Sequence, residues 1–138
     1  MTTSSPVLLD THALVWHVEG NVDLPASSQE AIRGSEAFVS AVVAWELAIH
    51  QRKRRMQFPR GLENWWVQAL ALVPAKVIPL TPEIAFRAEA LPDFHGDPAD
   101  RFHVATALLF GHRLVTVDGT IREWATKGAG KTLGLKLA

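Results

Sequence analysis

Val7-Leu8-Leu9-Asp10-Thr11-His12 is the stretch on which the fold turns. Three apolar residues end abruptly in a carboxylate, just after a Ser/Thr-rich start. An apolar run this short, bounded by polar residues, suits a buried strand of a parallel sheet. In open α/β sheets the carboxyl ends of the strands open into the ligand crevice, which is where Asp10 would sit. Late in the chain, Leu114-Val115-Thr116-Val117 runs into Asp118 in the same way. Two buried strands that both finish on aspartate need something to hold their charges together.

The 138 residues are read as one domain over 1–138, long enough to bury roughly two thirds of the unfolded surface. Fourteen basic residues balance 14 acidic ones, so any nucleic-acid contact must come from local clusters rather than net charge. The chain has no cysteine. That removes disulfides, thiolate zinc sites and cysteine nucleophiles together, and it fits a reducing cytoplasm. There is no leader of basic then apolar residues. The longest apolar runs, 41–45 and 69–73, stop at Glu46 and Pro74, far short of the ~20 residues a membrane span needs. A soluble cytoplasmic protein without membrane association is expected.

Outward from the first strand, residues 11–18 predict a helical turn or two, broken by Gly20-Asn21. Leu24-Pro25-Ala26-Ser27 opens a second helix, with Ser27 or Ser28 at the cap and Gly34 as the stop. Residues 37–40 are a second strand, feeding a helix over 41–55 whose last turn is basic, as the helix dipole favours. A helix over 62–72 carries Trp65 and Trp66. The strand over 77–80 belongs at an edge, because Pro79 cannot donate to a ladder. Thr81-Pro82-Glu83 and Asp97-Pro98-Ala99-Asp100 each supply a cap, an N1 proline and an acidic first turn. They start helices running to about 91 and 109. A strand over 113–117, a short helix over 120–126 and a last strand over 133–137 finish the chain. Strands and helices alternate throughout, which argues for a parallel sheet covered by helices on both faces.

The carboxylates carry the chemistry. Asp10 can cap the helix that follows its strand, and Asp118-Gly119 is a good turn pair. A cap uses one oxygen, so capping and catalysis are compatible. Glu46 has Val42, Val43, Ile49 and His50 as helical neighbours. It is either exposed on a narrow polar stripe or buried, and burying a lone carboxylate costs several kcal/mol unless it is paired or metal-bound. Capping accounts for Asp97, whereas Asp100, on the opening turn, can face the crevice with Asp10, Glu46 and Asp118. Four acids meeting there need a cation. All-oxygen ligands favour Mg²⁺, or Mn²⁺ in its place, over zinc, and such a site activates water against a phosphodiester.

In order, Leu8-Leu9-Asp10-Thr11-His12, the run from Ser40 through Glu46 to Ile49, Asp97-Pro98-Ala99-Asp100-Arg101 and Leu114-Val115-Thr116-Val117-Asp118 resemble a PIN domain. More narrowly they resemble VapC toxins of bacterial type II toxin–antitoxin systems. The likeness covers nearly the whole chain, and its strength lies in four weak motifs falling in the right order at the right intervals. It implies a PIN-like, Rossmann-like three-layer α/β sandwich with a central parallel sheet of about five strands. It also implies a Mg²⁺-dependent endoribonuclease acting on transfer RNA or other structured RNA. By motif position Asp10 and Asp100 would be metal ligands, with Glu46 and Asp118 completing the acidic site. Asp97, Thr11 and Thr116 would cap helices or orient carboxylates and water. The partners implied are a VapB-like antitoxin and a second copy of the chain. One local departure is the turn at Arg52-Lys53-Arg54-Arg55-Met56, where relatives often carry Gly-Lys.

That run, Arg52, Lys53, Arg54 and Arg55, is the dense basic segment, and it suits RNA phosphates beside the acidic site. A solvated helix end is the plainer account. Trp65-Trp66 and Phe58 read as packing, with one tryptophan free for a partner protein; His12 and His50 read as packing or hydrogen-bonding groups. Two other functions compete. One is a phosphatase, disfavoured because Asp10 is followed by Thr11-His12 rather than a second nucleophile-motif aspartate. The other is a noncatalytic RNA-binding or protein-interaction module of the same fold.

Overall fold

Burial of the first strand decides the architecture. In the computed structural model, which describes residues 5–138, Val7, Leu8 and Leu9 are wholly inaccessible to solvent. Residues 1–4, which hold most of the Ser/Thr-rich start, lie outside that range. Strand β1 (Val7–Leu9) pairs in parallel with β2 (Ala37–Ser40) on one side and β4 (Arg113–Val115) on the other, and β3 (Ala75–Ile78) pairs with β2. The order is β3-β2-β1-β4. Leu8 lies level with Phe38 and Leu114, so side-chain alternation splits the core in two.

On one face Leu8, Ile78 and Leu114 pack beneath α5 (Pro82–Glu89), α6 (Pro98–Phe110) and α7 (Gly119–Lys127) through Ile84, Val104 and Ile121. On the other, Val7, Leu9, Val39 and Val115 meet α1 (Thr11–Glu19), α2 (Ala26–Arg33) and α3 (Ala41–Arg52) through Leu14, Ile32 and Leu47. Trp65 and Trp66 of α4 (Leu62–Leu72) both lie half-buried against this second core, so neither is wholly free. The three-layer α/β arrangement is the expected one.

Several details differ from expectation. Among the described residues the sheet has four strands, where about five were expected. The segment expected as a last strand begins inside α8 (Ala129–Leu133) and turns at Gly134, whose φ of +81° is left-handed. What remains pairs with β4 only as an isolated bridge, Leu114 with Leu137. Strand β3 starts earlier than expected and stops at Ile78, before Pro79. Helix α1 runs nine residues, longer than a turn or two. Helix α2 starts at Ala26 behind Pro25 with no side-chain cap; Ser28 is buried within it.

Helix α3 also ends early, at Arg52. Lys53 closes it and Arg54 takes φ of +58°, a left-handed conformation costing an L-residue about 1–2 kcal/mol. The turn then folds back, with the amides of Arg55 and Met56 both donating to the His50 carbonyl at 2.8 and 3.3 Å. Arginine thus makes the turn that glycine would make without strain. Replacing Arg54 with glycine should stabilise the protein by about 0.5–1 kcal/mol, the relieved strain less glycine's extra unfolded-state entropy. A urea titration measures this as a higher midpoint at unchanged slope.

Candidate active site

Strand order reverses at β1, between β2 and β4, so the crevice opens beyond the carboxyl ends of those strands. Asp10 follows β1 immediately and caps α1, its Oδ1 accepting the Ala13 amide at 2.9 Å. Asp118 follows β4 and caps α7 through the Ile121 amide at 2.9 Å. Its own amide donates to Thr116 Oγ1 at 3.1 Å. Asp97 caps α6 through the Asp100 amide at 2.9 Å, and Pro98 at N1 needs no amide partner. Gly96 lets the preceding loop pass tightly; a Cβ there would lie 2.4 Å from the Phe94 ring and 3.0 Å from Asp100 Cβ. Each cap spends only one carboxylate oxygen on a backbone amide.

Asp10, Glu46, Asp97, Asp100 and Asp118 all line one cleft of about 330 Å³, together with Thr11, His12, His50 and His103. The structure therefore brings together the four acids expected there. Thr11 and Thr116 lie buried beside them. Lys53 and Arg55 line an adjoining groove; Arg52 and Arg54 are exposed and line neither space.

His103 is a further site residue, absent from the set expected from the sequence. It is almost completely buried on α6, one turn after Asp100, and its Nε2 lies 2.8 Å from Glu46 Oε1. The Thr11 hydroxyl donates to the same oxygen. Glu46 is therefore half-buried and paired rather than set on a solvated stripe. The spacing Asp97, Asp100, His103 along one helix face was the available signal; an apolar setting hid it.

The charges are strongly coupled. Burial acts to raise the Glu46 pKa, but the hydrogen bond and charge of His103, with the Thr11 hydroxyl, hold it below the ordinary value. Burial favours a neutral His103, yet Glu46, Asp10 and Asp100 keep its pKa raised. Burial pushes Asp10 up, against His103 and the Thr116 hydroxyl. Asp100 is pushed up to about 7 by burial and by the charges of Asp97, Asp118 and Glu46. Among the described residues no three Asp, Glu or His side chains already form a shell around one point. The donors nonetheless fit a hard divalent cation in type, and the raised Asp100 pKa marks negative charge that such a cation would relieve.

Asp100 holds its proton longer in the folded than in the unfolded chain. Its contribution to stability is therefore greatest below pH 3.8 and declines as pH rises towards 7. In EDTA, Asp100→Asn should melt above the wild type at pH 8, with the gap closing towards pH 4. Circular dichroism melts across that range check this. Removing the His103 donor with His103→Leu should raise the Glu46 pKa; His103→Gln, which keeps a donor, should raise it less. Carboxyl ¹³C titration of the metal-free protein reads both.

The comparisons with known proteins agree with this geometry. The family model described as PIN domain matches residues 7–127. Ribonuclease VapC22 of Mycobacterium tuberculosis is 37% identical over 125 residues, covering 89% of this chain and 92% of that protein. The crystal structure of VapBC2 from Rickettsia felis bound to a promoter DNA fragment matches with a TM-score of 0.64 at 17% identity, covering 96% of this chain and 97% of that one. A toxin–antitoxin complex from Klebsiella pneumoniae matches at 0.62 and 20% identity, over 88% of this chain and 92% of that one. At those identities the two structures speak for the fold. Sheet order, the acidic crevice and the match over nearly the whole sequence lead to one conclusion: the chain belongs to the PIN domain family, as a VapC-type member.

Proposed function

We propose that this protein is a divalent-metal-dependent endoribonuclease and the toxin of a toxin–antitoxin pair. One observation carries the reading: Asp10, Glu46, Asp100 and Asp118, from four separate segments, line one cleft at the strand-order reversal. The identity to a VapC ribonuclease supports it. Asp10 and Asp100 would hold the cation, Mg²⁺ or Mn²⁺, with Glu46 and Asp118 completing the acidic site. A cation held there would supply Lewis-acid chemistry, lowering the pKa of water and neutralising phosphate charge. The chain's own part is positional. Capping bonds fix Asp10, Asp97 and Asp118, Thr11 and His103 fix Glu46, and Thr116 lies beside Asp10 and Asp118.

The substrate in this reading is structured RNA such as transfer RNA. The protein acts in the cytoplasm as a single domain over 1–138, pairs with a second copy and is silenced by a VapB-like antitoxin. Likeness of fold to VapBC and toxin–antitoxin complexes supports that partner. No helix among the described residues is long and apolar enough to cross a membrane.

Asp10→Asn and Asp100→Asn should each reduce RNA cleavage by about two to three orders of magnitude, the scale of losing one electrostatic stabiliser. EDTA should stop cleavage and added Mn²⁺ restore it. Gel assays on transfer RNA test all three; undiminished cleavage by both variants, or in excess EDTA, overturns the mechanism.

A further inference from the structure

The acidic cleft presents a problem for its own substrate. Five carboxylates line it, and RNA is a polyanion, so much of the affinity must come from groups beside the cleft. A second groove, of about 190 Å³, shares Glu46, His50 and Asp97 with the cleft and leads away from it along α3. Trp45 and Ile49 lie along one side, four residues apart on one helix face, and Lys53 and Arg55 stand at the far end. Trp45 is 53% exposed although it is one of the largest apolar side chains in the protein. The left-handed turn at Arg54 brings the chain round so that the residues on both sides of it face the groove.

We infer that this groove is a nucleotide subsite, in which a base of single-stranded RNA stacks on Trp45 while Lys53 and Arg55 hold adjacent phosphates. The inference rests on the endoribonuclease reading and adds where the strand lies. An aromatic face beside two cations is the combination that holds single strands, because every base has a π-face and every nucleotide a charge. Asp97 at the junction is the one opposing charge besides Glu46, and its Oδ1 is committed to the Asp100 amide. Mixed aromatic and cationic character suits a strand of RNA better than an apolar peptide. The subsite fixes which way the RNA runs out of the cleft.

The test uses full-length protein carrying Asp100→Asn to arrest cleavage, Mg²⁺, and a fluorescein-labelled single-stranded oligoribonucleotide of mixed sequence followed by anisotropy. Adding Trp45→Ala should weaken binding by about fivefold to a hundredfold, and Trp45→Phe should recover most of the loss. Lys53→Ala and Arg55→Ala should each lower the slope of log affinity against log salt by about 0.7. Unchanged affinity in Trp45→Ala together with an unchanged salt slope overturns the subsite. So does a Trp45→Ala protein that loses a wild-type dimer in light scattering yet binds RNA normally, since the groove is then a contact between copies. In the otherwise wild-type enzyme, Trp45→Ala should raise KM for RNA cleavage more than it lowers kcat. If the wild type cleaves and Trp45→Ala keeps its KM, the subsite alone fails; if the wild type with Mg²⁺ cleaves no cellular RNA, the underlying reading fails.

Discussion

One carboxylate oxygen holds three helices in register. Oε1 of Glu46 on α3 accepts from Thr11 on α1 and pairs with His103 on α6. The helices contribute to both cores, α1 and α3 below the sheet and α6 above it. A buried ion pair is a weak source of net stability, since desolvation offsets much of the attraction. Its value lies in geometry: removing either partner leaves an uncompensated charge, so the pair persists and the cleft keeps its shape. Asp10, Asp97 and Asp118 are anchored differently, by backbone amides, which do not titrate.

Much of this was legible in the residues. Val7-Leu8-Leu9 could be read as a buried strand because three apolar residues without a helical period have few other homes. Asp97-Pro98-Ala99-Asp100 declared its helix start through cap and proline chemistry, and the hydrogen bonds follow that design. The four acids could be named, and fold resemblance supplied the reason for them to meet. His103 stayed hidden because its role depends on Glu46, 57 positions away, and no local pattern reports a partner that distant. The last strand was overread for a similar reason. Leu133, Leu135 and Leu137 alternate as a strand would, yet Gly134 and the preceding helix take the first of these out of pairing.

The double duty of Asp10, Asp97 and Asp118 bears on how such a site tolerates change. Each anchors a helix start through Oδ1 and also lines the cleft. Alanine at any of them costs about 1 kcal/mol of cap as well as the charge. Asparagine keeps an acceptor and removes only the charge. Loss of function through alanine therefore mixes two effects that asparagine separates. Asp100 and Glu46 cap nothing, and their charge is tied to the cleft alone.

The two flanks of the sheet are guarded unequally. Beyond β4, residues 136–138 lie alongside: the Leu114 amide donates to the Lys136 carbonyl at 2.8 Å, and the Ala138 amide donates to the Leu114 carbonyl at 3.0 Å. A short segment thus occupies backbone groups that would otherwise recruit another chain. On the opposite flank β3 relies on the exposed Lys76, itself within 3.5 Å of Glu36, and on the proline that follows at 79. Charge and proline discourage strand addition without filling the edge. Detaching residues 136–138 would therefore leave an unpaired, mostly apolar strand, turning the flank that is now shut into a template for aggregation.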